Sequence, residues 1–200
     1  SVSSAGDVNN DGFEDVIIGA PGADANGEES GSSYVVLGGN FLINEPVLQG
    51  TSGDDQLIGT NVAERFEAGE GNDILIGRGG ADVFHADAGN DYIRVNNLDF
   101  AQIDGGEGED TLGLGNKELN LDLASAAGKI SGIETIFLYG TGDNTLTLTA
   151  TDVLNLSDSS NTLTIRGNAG DRIVGLGSGW EDGGVSGNLH TFTSGEAILL

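Results

Sequence analysis

The sequence predicts an all-β chain built around a solenoid of stacked parallel coils, and three observations lead there. Leu57, Phe66, Leu75, Phe84 and Ile93 stand nine residues apart, each two residues after an acid: Asp55, Glu64, Asp73, Asp82 and Asp91. Glycines crowd ahead of these acids, five of them in the seventeen residues of "AGEGNDILIGRGGADVF" (68–84). A helix would lose roughly 1 kcal/mol at each one. After residue 115 the glycines thin out, but short alternating runs rich in β-branched residues continue, such as "LNLDL", "GIETIFL", "NTLTLT", "VLNLS", "NTLTIRG" and "DRIVGL".

Composition excludes several classes. The 200 residues include 35 Gly, 32 acidic and 7 basic residues, for a formal charge of −25, with no Cys and no Met. A chain this acidic cannot displace counterions from a phosphate backbone, so nucleic acid is not an expected partner, and neither is an anionic membrane surface. No run of about 18 apolar residues is present to span a bilayer. Without cysteine there is neither a disulfide framework nor a thiolate metal site. So large a negative balance opposes a compact state unless cations offset it. The chain begins without Met inside what reads as a repeat, and is expected to be a fragment of a longer protein.

Each nine-residue unit reads as a tight turn followed by a very short strand. Glycines supply the turn without a Cβ penalty, and strand alternation sends the residue after the acid outward and the next apolar one inward. One unit cannot bury its apolar residue alone, but stacked units can. If two units make one coil, residues 18 apart superpose. Asp55, Asp73 and Asp91 then share one edge, and Glu64 and Asp82 share the other. Carboxylates stacked at strand spacing repel unless a hard cation lies between them. Calcium, with 6–8 oxygen ligands in flexible geometry, suits such a ladder better than magnesium. Zinc is not expected, because only His85 and His190 offer nitrogen. After a ten-residue step to Ile103 the spacing of nine returns at Leu112, behind Asp110.

The units "AGEGNDILI", "GRGGADVFH", "ADAGNDYIR" and "GGEGEDTLG" resemble the nonapeptide G-G-x-G-x-D-x-U-x of the RTX (repeats-in-toxin, hemolysin-type) proteins. The resemblance covers roughly residues 47–115. It implies a calcium-loaded parallel β-roll in a protein exported by bacterial type I secretion. It also implies several bound Ca2+ ions, held by Asp73, Asp82, Asp91 and Asp110, with Asp55 in the looser first unit. The turn glycines Gly69, Gly71, Gly79, Gly80, Gly89, Gly106 and Gly108 would offer carbonyls. "GTNVAERFE" departs from the pattern, with Glu64 for Asp and no second glycine, and the insertion at 95–104 is expected to interrupt the metal ladder.

Upstream, "GDVNNDGFEDVIIGAPGA" (6–23) places Asp7, Asn9, Asp11 and Asp15 at positions 1, 3, 5 and 9 of a calcium loop, with the Phe13 carbonyl at position 7. Strand-like runs follow rather than a helix. With "GSSYVVLGG" (31–39), the stretch resembles an FG-GAP repeat, the blade of integrin-α-type β-propellers. The resemblance implies a single blade plus linker over 1–46, the β-roll over 47–115, and a β-rich tail with degenerate repeats over 116–200. A propeller needs several blades, so any protein or glycan ligand would be engaged through blades that this chain lacks. In the tail, Asn144 and Asn161 take the place of Asp, so more solenoid or a sandwich is expected there, largely free of calcium, with Trp180 and "TFTSGEAILL" as a closing cap. "ISGIETIFL" and "TLTIRGNAGDRI" resemble tails that follow RTX repeats in large bacterial adhesins.

No H-E-x-x-H or G-x-S-x-G occurs, and the nine-residue period already accounts for the carboxylates, so no catalysis is expected. The expected function is a calcium-binding structural and adhesion module of a secreted or cell-surface bacterial protein, folding on export. The alternative is a C-terminal secretion and folding module of an exported enzyme or toxin.

Overall fold

The computed structural model describes residues 2–6, 8, 15–20, 32–36, 45–116, 118–140, 142–157, 160–177 and 179–200. The chain divides into two compact units, Ser1–Glu45 and Pro46–Leu200. In the first, β1 (Val2–Gly6), β2 (Asp15–Ala20) and β3 (Ser32–Val36) form an antiparallel sheet in chain order. Val2, Val16, Ile17 and Val35 on these strands are exposed. Of the expected calcium loop, Asp7, Asn9, Asp11 and Phe13 lie outside the described residues, and Asp15 is the first residue of β2.

The second unit is the predicted parallel solenoid. Its first eight strands are β4 (Val47–Gln49), β5 (Gln56–Ile58), β6 (Arg65–Glu67), β7 (Ile74–Gly77), β8 (Val83–His85), β9 (Tyr92–Val95), β10 (Gln102–Asp104) and β11 (Thr111–Leu114). They alternate between two faces: β4, β6, β8 and β10 line one sheet and β5, β7, β9 and β11 the other, every pairing parallel. Registers advance by one double unit, with Leu57 beside Leu75 beside Ile93 on one face and Leu48 beside Phe66 beside Phe84 on the other. These apolar residues fill the space between the sheets, and Phe66, Leu75, Phe84, Ile93, Ile103 and Leu112 have no exposed surface. The rings of Phe66 and Phe84 stack with centroids 4.6 Å apart.

Beyond β11 the coil widens from two sides to three. β12 (Asn120–Asp122), β15 (Thr145–Thr147) and β17 (Arg172–Val174) form a third parallel sheet, while β13 (Ile130–Ser131) extends the β10 side and β14 (Thr135–Phe137) and β16 (Thr162–Arg166) extend the β11 side. The tail is therefore solenoid rather than sandwich. One element differs from expectation: "VLNLS" is not a strand, since Ala150–Leu156 is a helix, α1. Thr149 and Asp152 form a reciprocal capping box at its start, and Val153 and Leu156, three residues apart, bury one face. Local capping outweighs a strand-like alternation of only two apolar pairs. The Leu156 carbonyl accepts the Ile133 N–H (3.0 Å), which ties the end of α1 to the chain just past β13.

The last strands, β18 (Glu181–Ser186), β19 (Leu189–Ser194) and β20 (Ala197–Leu199), close the tail. β20 pairs parallel to β16, and β19 and β18 then add antiparallel. Trp180 packs half-buried against the core. Among the described residues, no helix is long and apolar enough to cross a membrane.

The stacked rings allow a test of the interior column. Phe84→Ala should destabilise the second unit by about 3–5 kcal/mol in chemical denaturation, whereas Tyr139→Ala, at a side chain 54% exposed, should change it by no more than about 0.5 kcal/mol.

Candidate metal centre

At each corner of the roll the chain leaves one sheet to enter the other. Isolated parallel bridges join the turns at Glu70, Ala88 and Glu107, but the N–H of the acid that ends each turn bonds to a side chain instead. Along one edge the corners are the turns 50–55, 68–73, 86–91 and 105–110, each ending in an acid. The Asp55 N–H donates to Oδ1 of Asp73 (2.7 Å), the Asp73 N–H to Oδ1 of Asp91 (2.7 Å) and the Asp91 N–H to Oδ1 of Asp110 (2.8 Å). Each coil's carboxylate thus closes the corner of the coil before it. The Asp110 N–H continues the series to Oε2 of Glu134 (2.8 Å). Asp73, Asp91 and Asp110 are at most 2% exposed. Their second oxygens, Oδ2 in each case, are buried and accept no hydrogen bond.

A second ladder runs outside the first, in the opposite direction. The Asn72 N–H donates to Oδ1 of Asp54 (2.8 Å), the Asn90 N–H to Oδ1 of Asn72 (2.9 Å) and the Glu109 N–H to Oδ1 of Asn90 (2.9 Å). The two ladders together clamp neighbouring coils at two consecutive residues. Across the roll the other edge is shorter. There the Glu64 N–H donates to Oδ1 of Asp82 (3.0 Å), and Oε2 of Glu64 is buried without a partner. The insertion at 95–104 falls on this edge. Ala101 stands where the next acid would be, two residues before Ile103, with Phe100 turned into the core and the Ala101 N–H bonded to the Asp82 carbonyl (2.8 Å).

Of the expected turn glycines, Gly69, Gly71, Gly80, Gly89, Gly106 and Gly108 have positive φ and Gly79 does not. Gly89 shows why a side chain is excluded. At φ 143° it lies against the Gly71 carbonyl of the preceding coil, and a Cβ there would overlap that oxygen. A Cβ on Gly79 would instead meet Asn61 Oδ1 at 3.5 Å, an ordinary contact.

Burial sets the protonation of the ladder. Desolvation pushes the Asp110 carboxyl up to about 7 and that of Asp91 up to about 6, and it raises Asp73 as well. The N–H from the preceding coil offsets part of this in each case, while neighbouring carboxylates add to it: Asp91, Glu134 and Glu109 for Asp110, Asp73 and Asp87 for Asp91, and Asp55 and Asp54 for Asp73. Buried, unpartnered carboxylate oxygens in a column carry an unmet demand for positive charge, and the donor set around them is all oxygen. No three His, Asp or Glu side chains converge on one point among the described residues. A cation here would therefore complete its shell from main-chain carbonyls, which fits a hard ion of high and flexible coordination number.

Sequence reading located Asp55, Asp73, Asp82, Asp91 and Asp110 but not the rest of the network. Glu134 was legible as an acid two residues before Ile136, the same spacing as in the repeats. The outer ladder was legible in the recurring "GND" at 71–73 and 89–91. In the tail, Asn144 forms a ladder of its own, accepting the Leu119 N–H (2.9 Å) and donating its N–H to Oδ1 of Asp171 (2.8 Å). Asn161 does not join a ladder, because the β14–β16 register places Leu163 over Glu134.

Fold and corners together define an acidic parallel β-solenoid whose turns present a buried carboxylate column. Residues 47–61 and 58–93 match the family described as the RTX calcium-binding nonapeptide repeat (4 copies), and residues 1–36 match the FG-GAP repeat. The chain thus carries an FG-GAP repeat followed by RTX repeats, which indicate calcium binding in a secreted bacterial protein. Neither repeat is a catalytic family. No curated protein and no solved structure matches the chain.

The corners generate two predictions. Gly89→Ala should destabilise the roll by about 3 kcal/mol or more, through strain and overlap, and Gly79→Ala by no more than about 0.5 kcal/mol, as read from urea midpoints. The second concerns pH in the presence of chelator. Asp91 and Asp110 hold protons more tightly folded than unfolded, so their contribution favours the metal-free fold fully below the unfolded carboxylate range, near 3.9. That contribution is lost as pH rises through about 6 and about 7. The β signal by circular dichroism in chelator should fall between pH 5 and pH 8, and a signal that rises over this window would refute the assignment.

Proposed function

We propose that the chain is a calcium-binding structural and adhesion module of a secreted or surface bacterial protein, and that its roll closes when calcium enters the glycine-rich turns. One observation carries this reading: the second carboxylate oxygens of Asp73, Asp91 and Asp110 are buried in a column with no donor. Asp73, Asp82, Asp91 and Asp110 would hold several ions, with carbonyls from the turns that contain Gly69, Gly71, Gly79, Gly80, Gly89, Gly106 and Gly108. In the FG-GAP repeat, Asp7, Asn9, Asp11, the Phe13 carbonyl and Asp15 would hold a further one. Bound calcium supplies positive charge that cancels the repulsion between stacked carboxylates.

The chain's own residues do the remainder. Each Asp orients one oxygen to the N–H of the coil before it, which aims the other into the turn. The glycines let successive turns approach closely, as at Gly89 against the Gly71 carbonyl. Before calcium is met, the like charges and the entropy of the glycines favour an expanded chain, suited to passage through a narrow export channel. Outside the cell, calcium near millimolar matches the affinity of extracellular oxygen sites, roughly 0.1–1 mM, and binding free energy becomes folding free energy. The FG-GAP repeat ahead of the roll favours a role in adhesion, with the roll as a rigid acidic spacer.

Circular dichroism during a calcium titration, with magnesium as control, tests the reading. A cooperative gain of β signal near millimolar calcium, lost in the Asp73→Ala, Asp91→Ala double variant, is expected. A chain fully folded in chelator and unchanged by calcium would overturn it.

A further inference from the structure

The corners of the carboxylate edge are not equivalent, and the difference lies at the second residue of each turn. Gly69 occupies that place in 68–73 at φ 102°, Asp87 in 86–91 at 69°, and Gly106 in 105–110 at 88°. In 50–55 the residue is Thr51, which is not in the left-handed region. Its N–H and its hydroxyl both donate to Oδ2 of Asp55, at 2.6 and 2.8 Å. This is the oxygen that stays without a partner in Asp73, Asp91 and Asp110. The same chemistry recurs away from the roll's corners, where the Thr149 N–H and hydroxyl both donate to Oδ2 of Asp152, at 2.7 Å each, in the cap of α1.

We propose that Thr51 is the stop of the calcium ladder: it supplies from the protein the positive dipoles that calcium would supply in the later turns, so that Asp55 takes no ion and the first coil closes without metal. The inference rests on the calcium reading above and adds where the ladder begins. Two donors on one carboxylate oxygen remove the unmet charge that makes the later corners cation sites. A threonine side chain with a β-branched Cβ also resists the positive φ found at Gly69, so the turn keeps its N–H facing the carboxylate. On the opposite edge Thr60 makes the same pair of contacts, its N–H (2.9 Å) and hydroxyl reaching Oε1 of Glu64, but there the other oxygen, Oε2, is buried without a partner. That corner keeps an unmet oxygen.

The test is a single substitution. Thr51→Gly turns "GTSGDD" into a full G-G-x-G-x-D turn, removes the hydroxyl from Oδ2 of Asp55, and lets the residue take the positive φ of Gly69, where the N–H no longer meets that oxygen. Titration calorimetry should then count one more calcium ion per chain than in the parent, while Thr51→Ser, which keeps both donors, should match the parent. An unchanged count in Thr51→Gly, or a gain in Thr51→Ser, overturns the proposal. Should Thr51→Gly fail to fold, Thr51→Val keeps the N–H and loses the hydroxyl. It should melt about 3–6 °C below the parent in saturating calcium, and equal melting would overturn the proposal. A parent chain that binds no calcium overturns the calcium reading itself. A parent that binds calcium while Thr51→Gly gains none overturns the stop alone.

Discussion

Everything in the roll depends on how the backbone N–H at each corner is satisfied. Within the strands these groups pair with the neighbouring coil, but at Asp55, Asp73, Asp91 and Asp110 the chain is turning between sheets, and a buried N–H without an acceptor is rare in folded proteins. The carboxylate one coil later meets that need. Doing so draws the carboxylate out of water and commits half of its acceptor capacity. Adjacent coils sit about 4.8 Å apart, where two unit charges in an effective dielectric of 20 repel by roughly 3–4 kcal/mol. A fully buried Leu, Ile or Phe returns roughly 1.5–3 kcal/mol. With both corners ionised, each coil comes close to undoing its own apolar gain. Burial, with the neighbouring carboxylates adding to it, drives Asp91 and Asp110 toward neutrality in the metal-free fold, so protons or cations decide whether the stack holds.

The tail reaches the same geometry by different chemistry. Asn144 sits buried at a corner of the third sheet and accepts the Leu119 N–H as an aspartate would. Its Nδ2 then donates to the Leu138 carbonyl at 3.1 Å. Exchange of one carboxylate oxygen for an amide nitrogen turns an unmet demand for positive charge into a hydrogen bond, and the corner no longer calls for a cation. The wider three-sided coil fits this change. Its corners need not bring carbonyls together around an ion, so the glycines thin out and larger turns such as 123–129 can be accommodated.

How much of this was legible follows from which features have a fixed spacing. The apolar column and its acids were readable because two strands and two turns take 18 residues whatever the side chains between them. Strand alternation then fixes which residue points inward. The insertion at 95–104 was readable as a break, yet only the fold shows that it falls on one edge and leaves the other continuous through Asp110 to Glu134. Glu134 lay beyond the glycine-rich stretch, and a spacing of two from a single isoleucine is weak without the register that places it over Asp110. The helix α1 escaped because "VLNLS" alternates like a strand. Its capping box needs Thr149 and Asp152 to be read as a pair, three residues apart, ahead of the apolar residues they organise. Asn161 misled because the spacing of Asn to Leu survives there while the coil around it has changed length.

The direction of the inner ladder has a consequence for how such a roll assembles. Each corner N–H is satisfied by a residue 18 or 19 positions later in the chain, so no coil is complete until its successor has docked. Growth of this kind resembles a one-dimensional stack in which only neighbour contacts stabilise, and its first step is the costly one. Thr51 alters that step. It satisfies the Asp55 carboxylate from within its own turn, four residues away, while the Asp55 N–H still waits for Asp73. The first coil therefore presents a formed turn with one open donor, and the second coil can dock onto it without meeting an uncompensated charge. A ladder in which every rung needed an ion would have to gather two ions and two coils at once to begin.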